Sequence, residues 1–396
     1  MTDRPAVDID GLVDFTRRLV RIPSVNQPGQ GEARAVEEVV ALATSWGWSP
    51  VVEEVAPGRP NCIIRLDGGL PGPTLLFEGH TDVVTPGDPE EWTHDPFGAE
   101  MVDGRIYGRG SADMKGGLAA MLFAARAIEA IGPFPGTIVL GVLCDEEEMM
   151  IGVHDFVARG HARDIDAAIV CEPEAGEICT TQKGAIRLRV DFEGRMAHGA
   201  MPHQGRNPVT AMSAFVTAMR DIETTLQDDP GEHPDLGLAY LTPTHITAGS
   251  LPQLNVIPST GLLTVDIRTV PGVEHHDLLA RIAAAAEQVS RSSGVEITST
   301  VLVDRPPTTT ALDEPIVAAV AAAHTEVTGQ PPVFGGVPGT TDGTILWRDA
   351  AIPVVVYGPG GKWIAHSADE YVETEDLIRH ARVYVAAALR FLSERS

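Results

Sequence analysis

TIVLGVLCDEE, residues 137–147, sets an apolar run of strand length directly against three acids. A run without polar alternation marks a strand buried on both faces, the kind found in parallel sheets. Three other runs repeat the arrangement. TLLFEG (74–79) leads into His80, Thr81 and Asp82, AAIVC (167–171) into Glu172, and IPVVVYGPGG (352–361) is followed by His366. Between the first two strands lies an Ala-rich helical stretch from Gly116 to Ile131. Helical spacing also marks 9–21, 32–46, 313–328 and 374–393. Strands alternating with helices predict an α/β fold with a mainly parallel sheet flanked by helices.

The middle of the chain has another period. AIRLRVDFEG (185–194) alternates apolar and polar residues, a helix is expected over 207–226, and alternating strands over 239–248 and 261–269. A helix over 274–292 and a strand over 295–303 complete the order β-α-β-β-α-β, with half-exposed strands. This predicts an inserted α+β, ferredoxin-like domain over 183–297. The parent domain is then split into 1–182 and 298–396.

In an open α/β sheet, ligands bind at the carboxyl ends of the strands. Imidazole and carboxylate ligands favour zinc, and paired metals can share one water. The i,i+2 spacing of His80 and Asp82 allows Asp82 to accept the free ring N–H of a metal-bound His80. A fifth element, GRGSADMKGG (108–117), places Asp113 between a glycine-rich turn and a helix start. Two zinc ions carry four positive charges. Asp113, Glu147 and Glu172 supply three negative charges and a shared hydroxide the fourth. Glu146 is left spare, as a general base must be.

Composition narrows the function classes. The chain of 396 residues is 43% hydrophobic and 21% charged, a packed globular profile. A net charge of −26 argues against nucleic acid or an anionic membrane surface as partner. The N-terminus MTDRPAVDID lacks the apolar segment of a signal peptide, and no run is long enough to span a membrane. Four cysteines without a CxxC pair fit reduced thiols in the cytoplasm. No GxxxxGK[ST] loop and no GxSxG elbow occurs, which weighs against a nucleotide-binding enzyme and a serine hydrolase. An intact spare carboxylate at Glu146 weighs against a metal-binding protein without catalysis.

GHTDVV (79–84), GRGSADMKGG (108–117), DEE (145–147), CEP (171–173) and YGPGG…AHSADEYV (357–372) together span most of the chain. In these motifs the chain resembles the zinc-dependent amidohydrolases and metallopeptidases that include acetylornithine deacetylase, succinyl-diaminopimelate desuccinylase, aminoacylase and glutamate carboxypeptidase. The resemblance implies two Zn²⁺ per subunit, with Co²⁺ or Mn²⁺ as substitutes. His80 and Glu172 would hold one ion, Glu147 and His366 the other, with Asp113 bridging. Asp82 would orient His80, Glu146 would be the general base, and the peptide bond after Asp113 would be cis. The insert would be a lid through which a homodimer forms. His198, in GRMAHGAMPHQGRNPV (194–209), would reach the partner subunit's site and stabilise an oxyanion. Asn255, Arg268, Lys183 and the backbone of Gly360 would contact substrate.

Three departures from the family bear on the substrate. Met149-Met150 replaces glycines after the acidic run. TTDGT (340–344) lacks the arginine that desuccinylases carry just after Asp-Gly. Gln182-Lys183-Gly184 stands where they have arginines. The expected activity is removal of an acyl group from an N-acyl amino acid or related small amide. Glu172, an aspartate in many peptidase branches, favours this over the alternative, a dipeptidase or carboxypeptidase on the same scaffold.

Overall fold

The computed structural model describes residues 6–26 and 31–393; residues 1–5, the start of the N-terminal stretch discussed above, lie outside the described residues. The chain divides into two compact units. The first comprises 1–180, 310–335 and 341–396, the second 181–309 and 336–340.

In the first unit, strands Phe134–Leu143, Gly69–His80, Ala167–Pro173 and Val354–Gly358 lie side by side, all parallel. Beyond Phe134–Leu143 the sheet continues antiparallel through Arg59–Asp67 to Val51–Ala56, which the sequence reading had not found. Leu75 and Phe77 face one large core built from helices Ile9–Val20, Ala33–Ser45, Gly116–Glu129, Pro315–Thr328 and Thr374–Ser393. Leu76 and Val139 are also buried but lie outside that cluster. Strand residues alternate between faces, so they mark the opposite face. Two short helices, Ile151–Ala158 and Asp342–Ala350, pack against each other and the sheet. Burial on both faces explains why the central strands read as unbroken apolar runs. The parallel sheet expected from those runs is present at the centre, and the edge strands are antiparallel.

The second unit is built on an antiparallel sheet in the order Tyr240–Ala248, Thr260–Thr269, Gly184–Glu193, Glu296–Arg305. With helices Pro208–Asp228 and His275–Ser293 this is the β-α-β-β-α-β order of a ferredoxin-like fold. Ile186, Leu188, Val190 and Phe192 bury one face of the sheet against Phe215, Met219, Leu278 and Ile282. The boundary expected at 297 is corrected to 309. Strand Glu296–Arg305 pairs with Gly184–Glu193 along its length, from Glu296 opposite Glu193 to Arg305 opposite Ala185, so it cannot be divided from that sheet. Among the described residues, no helix is long and apolar enough to cross a membrane.

One close approach sets the position of the helix Gly116–Glu129. A Cβ placed on Gly117 would lie 2.0 Å from the carbonyl oxygen of Cys171, which precedes Glu172 on its strand. Backbone cannot yield as a flexible side chain does. Gly117→Ala is expected to destabilise the protein by about 1–3 kcal/mol, an overpacking penalty read from the urea unfolding midpoint. Unchanged stability would contradict this contact.

Candidate active site

Because the four central strands are parallel neighbours, their carboxyl ends open on one edge of the sheet. The register places His80 opposite Leu143 and Gly358 opposite Pro173. Glu172 is the penultimate residue of its strand. Asp145, Glu146 and Glu147 follow Leu143 in a turn where Asp145 has a φ of 66°. Asp113 sits in the segment Ser111–Lys115 before the helix Gly116–Glu129, and its bond to Met114 is cis.

These ends converge. His80 Nε2 lies 3.2 Å from Asp113 Oδ1 and 3.2 Å from Glu172 Oε1. On the other side of Asp113, His366 Nε2 lies 3.3 Å from its Oδ2 and 3.1 Å from Glu147 Oε2. Two groups of donor atoms result, His80–Asp113–Glu172 and Asp113–Glu147–His366, each with its atoms within 4.8 Å of one another. Ligands about 2.0–2.1 Å from a tetrahedral ion stand about 3.3 Å apart, which the histidine–carboxylate separations match. Glu146, nearly buried, places an oxygen 3.9 Å from His80 Nε2 and belongs to neither group.

The electrostatics also point to missing positive charge. Among the described residues, the ion pairs of Asp113, Glu146, Glu147 and Glu172 are with His80 and His366 and with no lysine or arginine. Burial, with Asp113 nearby, pushes the Glu172 carboxyl up to about 8. Burial likewise holds the Glu146 carboxyl well above its usual range, against the pull of His80. Hydrogen bonds to Asp113 and Glu147 raise His366 to about 10. Crowded carboxylates thus take up protons or draw them onto the histidines, as acids do where a cation is wanting.

Asp82 departs in detail from the expected arrangement. The ring Nδ1 of His80 is 3.0 Å from the main-chain oxygen of Asp82 and 3.4 Å from its carboxylate. That carboxylate instead accepts the backbone N–H groups of Glu146 and Glu147, each at 3.2 Å, and the amide of Asn26 at 2.7 Å. Asp82 therefore ties the histidine strand to the turn that presents the two glutamates. Glu370 does the same for Asp113. Fully buried, it pairs with Arg109 and accepts the N–H groups of Ala112 at 2.9 Å and Asp113 at 3.1 Å. Sequence reasoning missed Glu370, although it lies within AHSADEYV, and missed Asn26 altogether.

The N–H of Gly360, expected near substrate, donates to Asp376 Oδ2 at 2.8 Å in a buried contact and is therefore already engaged. The remaining candidates lie in the second unit. His198 and Asn255 are exposed and neighbouring, since Ala197–His198 pairs with Val256–Ile257 and Gly199 N–H donates to the Asn255 carbonyl at 2.7 Å. Lys183 donates to the Leu238 carbonyl at 2.7 Å and lies over the Tyr240 ring. Arg268, whose charge together with burial lowers the Lys183 ammonium, gives its Nε to Asp266 at 2.9 Å.

Residues 76–390 match the profile of peptidase family M20/M25/M40. The chain belongs to this family. It is accordingly a hydrolase of C–N amide bonds. A succinyl-diaminopimelate desuccinylase of Rhodospirillum centenum is 33% identical over 394 residues, covering 94% of this chain and 95% of its own. Among solved structures, an M20 family metallo-carboxypeptidase from Sulfolobus solfataricus superposes with a TM-score of 0.79 at 18% identity, covering 96% of this chain and 99% of that one. A dinuclear metal-binding peptidase of the M20 family from Bacillus subtilis superposes with a TM-score of 0.71 at 16% identity, covering 96% and 97%. At such identities these two structures speak for the fold alone.

Proposed function

We propose that the protein removes the acyl group from an N-acyl amino acid or a related small amide with two divalent cations, Zn²⁺ foremost. Co²⁺ or Mn²⁺ would fit the same donors. His80, Asp113 and Glu172 would hold one ion, and Asp113, Glu147 and His366 the other. Such ions, when bound, polarise a carbonyl and make water acidic. The observation that carries the proposal is the shared Asp113, one oxygen toward each histidine, with Glu146 left outside both groups. Glu146 is the group to take a proton from the attacking water and return it to the leaving nitrogen. The desuccinylase relatives support an acyl amino acid as substrate. In this chain neither Lys183 nor TTDGT (340–344) offers an arginine fork for a second carboxylate, so the acyl group is read as one without it.

Glu146→Gln keeps size and hydrogen bonding but cannot accept the proton. Turnover on a panel of N-acetyl, N-succinyl and other N-acyl amino acids, with dipeptides alongside, is expected to fall about 10²–10⁴-fold while metal content stays native. Near-native turnover would remove Glu146 from this role.

The second unit is read as a lid that pairs with a second copy of the chain. Supporting this, strand Tyr240–Ala248 is a sheet edge with exposed residues along nearly its whole length, Ile246 among them. Such an edge invites pairing unless covered. His198 would then act in the partner's site. The four cysteines, free and buried, support a cytoplasmic setting. If His198 works in trans, mixing inactive His198→Ala and Glu146→Gln proteins restores activity. The level approaches about a quarter of native per total site when subunits exchange at random, since one site in each mixed pair is intact. No recovery despite demonstrated exchange would confine His198 to its own chain.

A further inference from the structure

We infer that Asn26 is a positioning residue for the reaction, and that it sets the turn carrying Glu146 and Glu147 from behind. The inference rests on the base assigned to Glu146 above. The side-chain amide of Asn26 donates to two carboxylates at once, Asp82 Oδ2 at 2.7 Å and Asp145 Oδ1 at 3.0 Å. An amide nitrogen supplies two such hydrogens, and with two carboxylates as partners only the nitrogen can face them. One of these carboxylates opens the acidic turn. The other accepts the N–H groups of Glu146 and Glu147. Asn26 thus bridges the two anions between which the turn is suspended.

Its own place is fixed by a short parallel bridge. Asn26 N–H donates to the Val83 carbonyl at 2.9 Å, Val83 N–H to the Ser24 carbonyl at 3.0 Å, and the Ser24 hydroxyl to the Thr81 carbonyl at 2.6 Å. A second support comes from the same part of the chain. Arg59 pairs with Asp145 at 2.7 Å and with Glu32 at 2.8 Å, and Glu32, fully buried, accepts the Asp145 N–H at 3.3 Å. Asn26, Glu32 and Arg59 all precede residue 76, where the match to the family profile begins. Part of the support of the base therefore lies in a segment that the profile does not cover, behind Asp82, which it does.

The amide is suited to this position. An aspartate there would set a third carboxylate against two, and a leucine of similar volume would leave two buried anions short of a donor. Outer partners of this kind typically change activity or metal affinity about 10–100-fold.

The test is a double-mutant cycle on the purified full chain loaded with zinc. Asn26→Leu is expected to lower kcat about 10–100-fold with KM within about threefold of native. Asn26→Asp, which keeps the shape, is the second variant and is expected to lose kcat likewise should the leucine protein fail to fold. In the Glu146→Gln background, with two zinc ions per chain verified so that Glu147 still holds its ion, the same substitution is expected to cost less than about threefold, because the base it positions is already disabled. Equal losses in both backgrounds, or a native kcat in both Asn26 variants, would overturn the positioning role. Near-native turnover of Glu146→Gln alone is a separate result, which would overturn the assignment of the base.

Discussion

One carboxylate is shared by two histidines, and the site is organised around that sharing. Asp113 turns one oxygen to His80 and the other to His366, which brings the ends of four parallel strands to one point. Around it stand Glu147 and Glu172, with donor oxygens within 4.8 Å of those of Asp113. Two like charges at that separation repel by about 3–4 kcal/mol at an effective dielectric of 20. Among the described residues, their ion pairs are with the two imidazoles and with no lysine or arginine. A protein keeps such an arrangement where cations complete it, and the 3.1–3.3 Å separations between histidine and carboxylate atoms fit that account.

Holding anions together requires a stiff frame, and the frame here is made of hydrogen bonds to backbone. Glu370 grips the peptide N–H groups of Ala112 and Asp113, its own charge met by buried Arg109. Asp82 grips those of Glu146 and Glu147. Lys362, paired with Glu174 at 2.7 Å and Glu177 at 2.8 Å, fastens the loop that carries His366 to the segment following Glu172. Each tie joins a segment that carries a residue of the site to an element distant in sequence. The site is therefore as rigid as the folded unit and can hold a cation pair at fixed spacing.

The sequence showed the central strands and the polar residues that follow them, His80, Glu147 and Glu172, for a single physical reason, whereas Asp113 stood out by the glycine-rich turn around it. A strand buried on both faces is apolar throughout, so a polar residue at its end stands out. The edge strand Val51–Ala56, written VVEEVA and largely exposed, carries no such contrast and went unseen. Gly360 was assigned to substrate because a glycine turn before His366 invites it, yet its N–H goes to Asp376 on the following helix, a partner no local pattern marks. Asn26 and Glu370 went unassigned for the same reason. Their role lies in which distant carboxylate or peptide they meet, and only the folded chain brings these together. In the insert the period-2 strands were legible, while its end was placed within strand Glu296–Arg305, whose pairing with Gly184–Glu193 only the folded chain shows.

The central claim is that Asp113 joins two cation positions in one chain. The most direct measurement is metal content per chain by elemental analysis, after removal of all metal with a chelator, reloading with zinc and dialysis. The account predicts two ions per chain in the native protein, and fewer than one tightly held in Asp113→Ala, because the shared ligand serves both positions. Full amide hydrolysis by protein without metal, or two ions still held by Asp113→Ala, would contradict it.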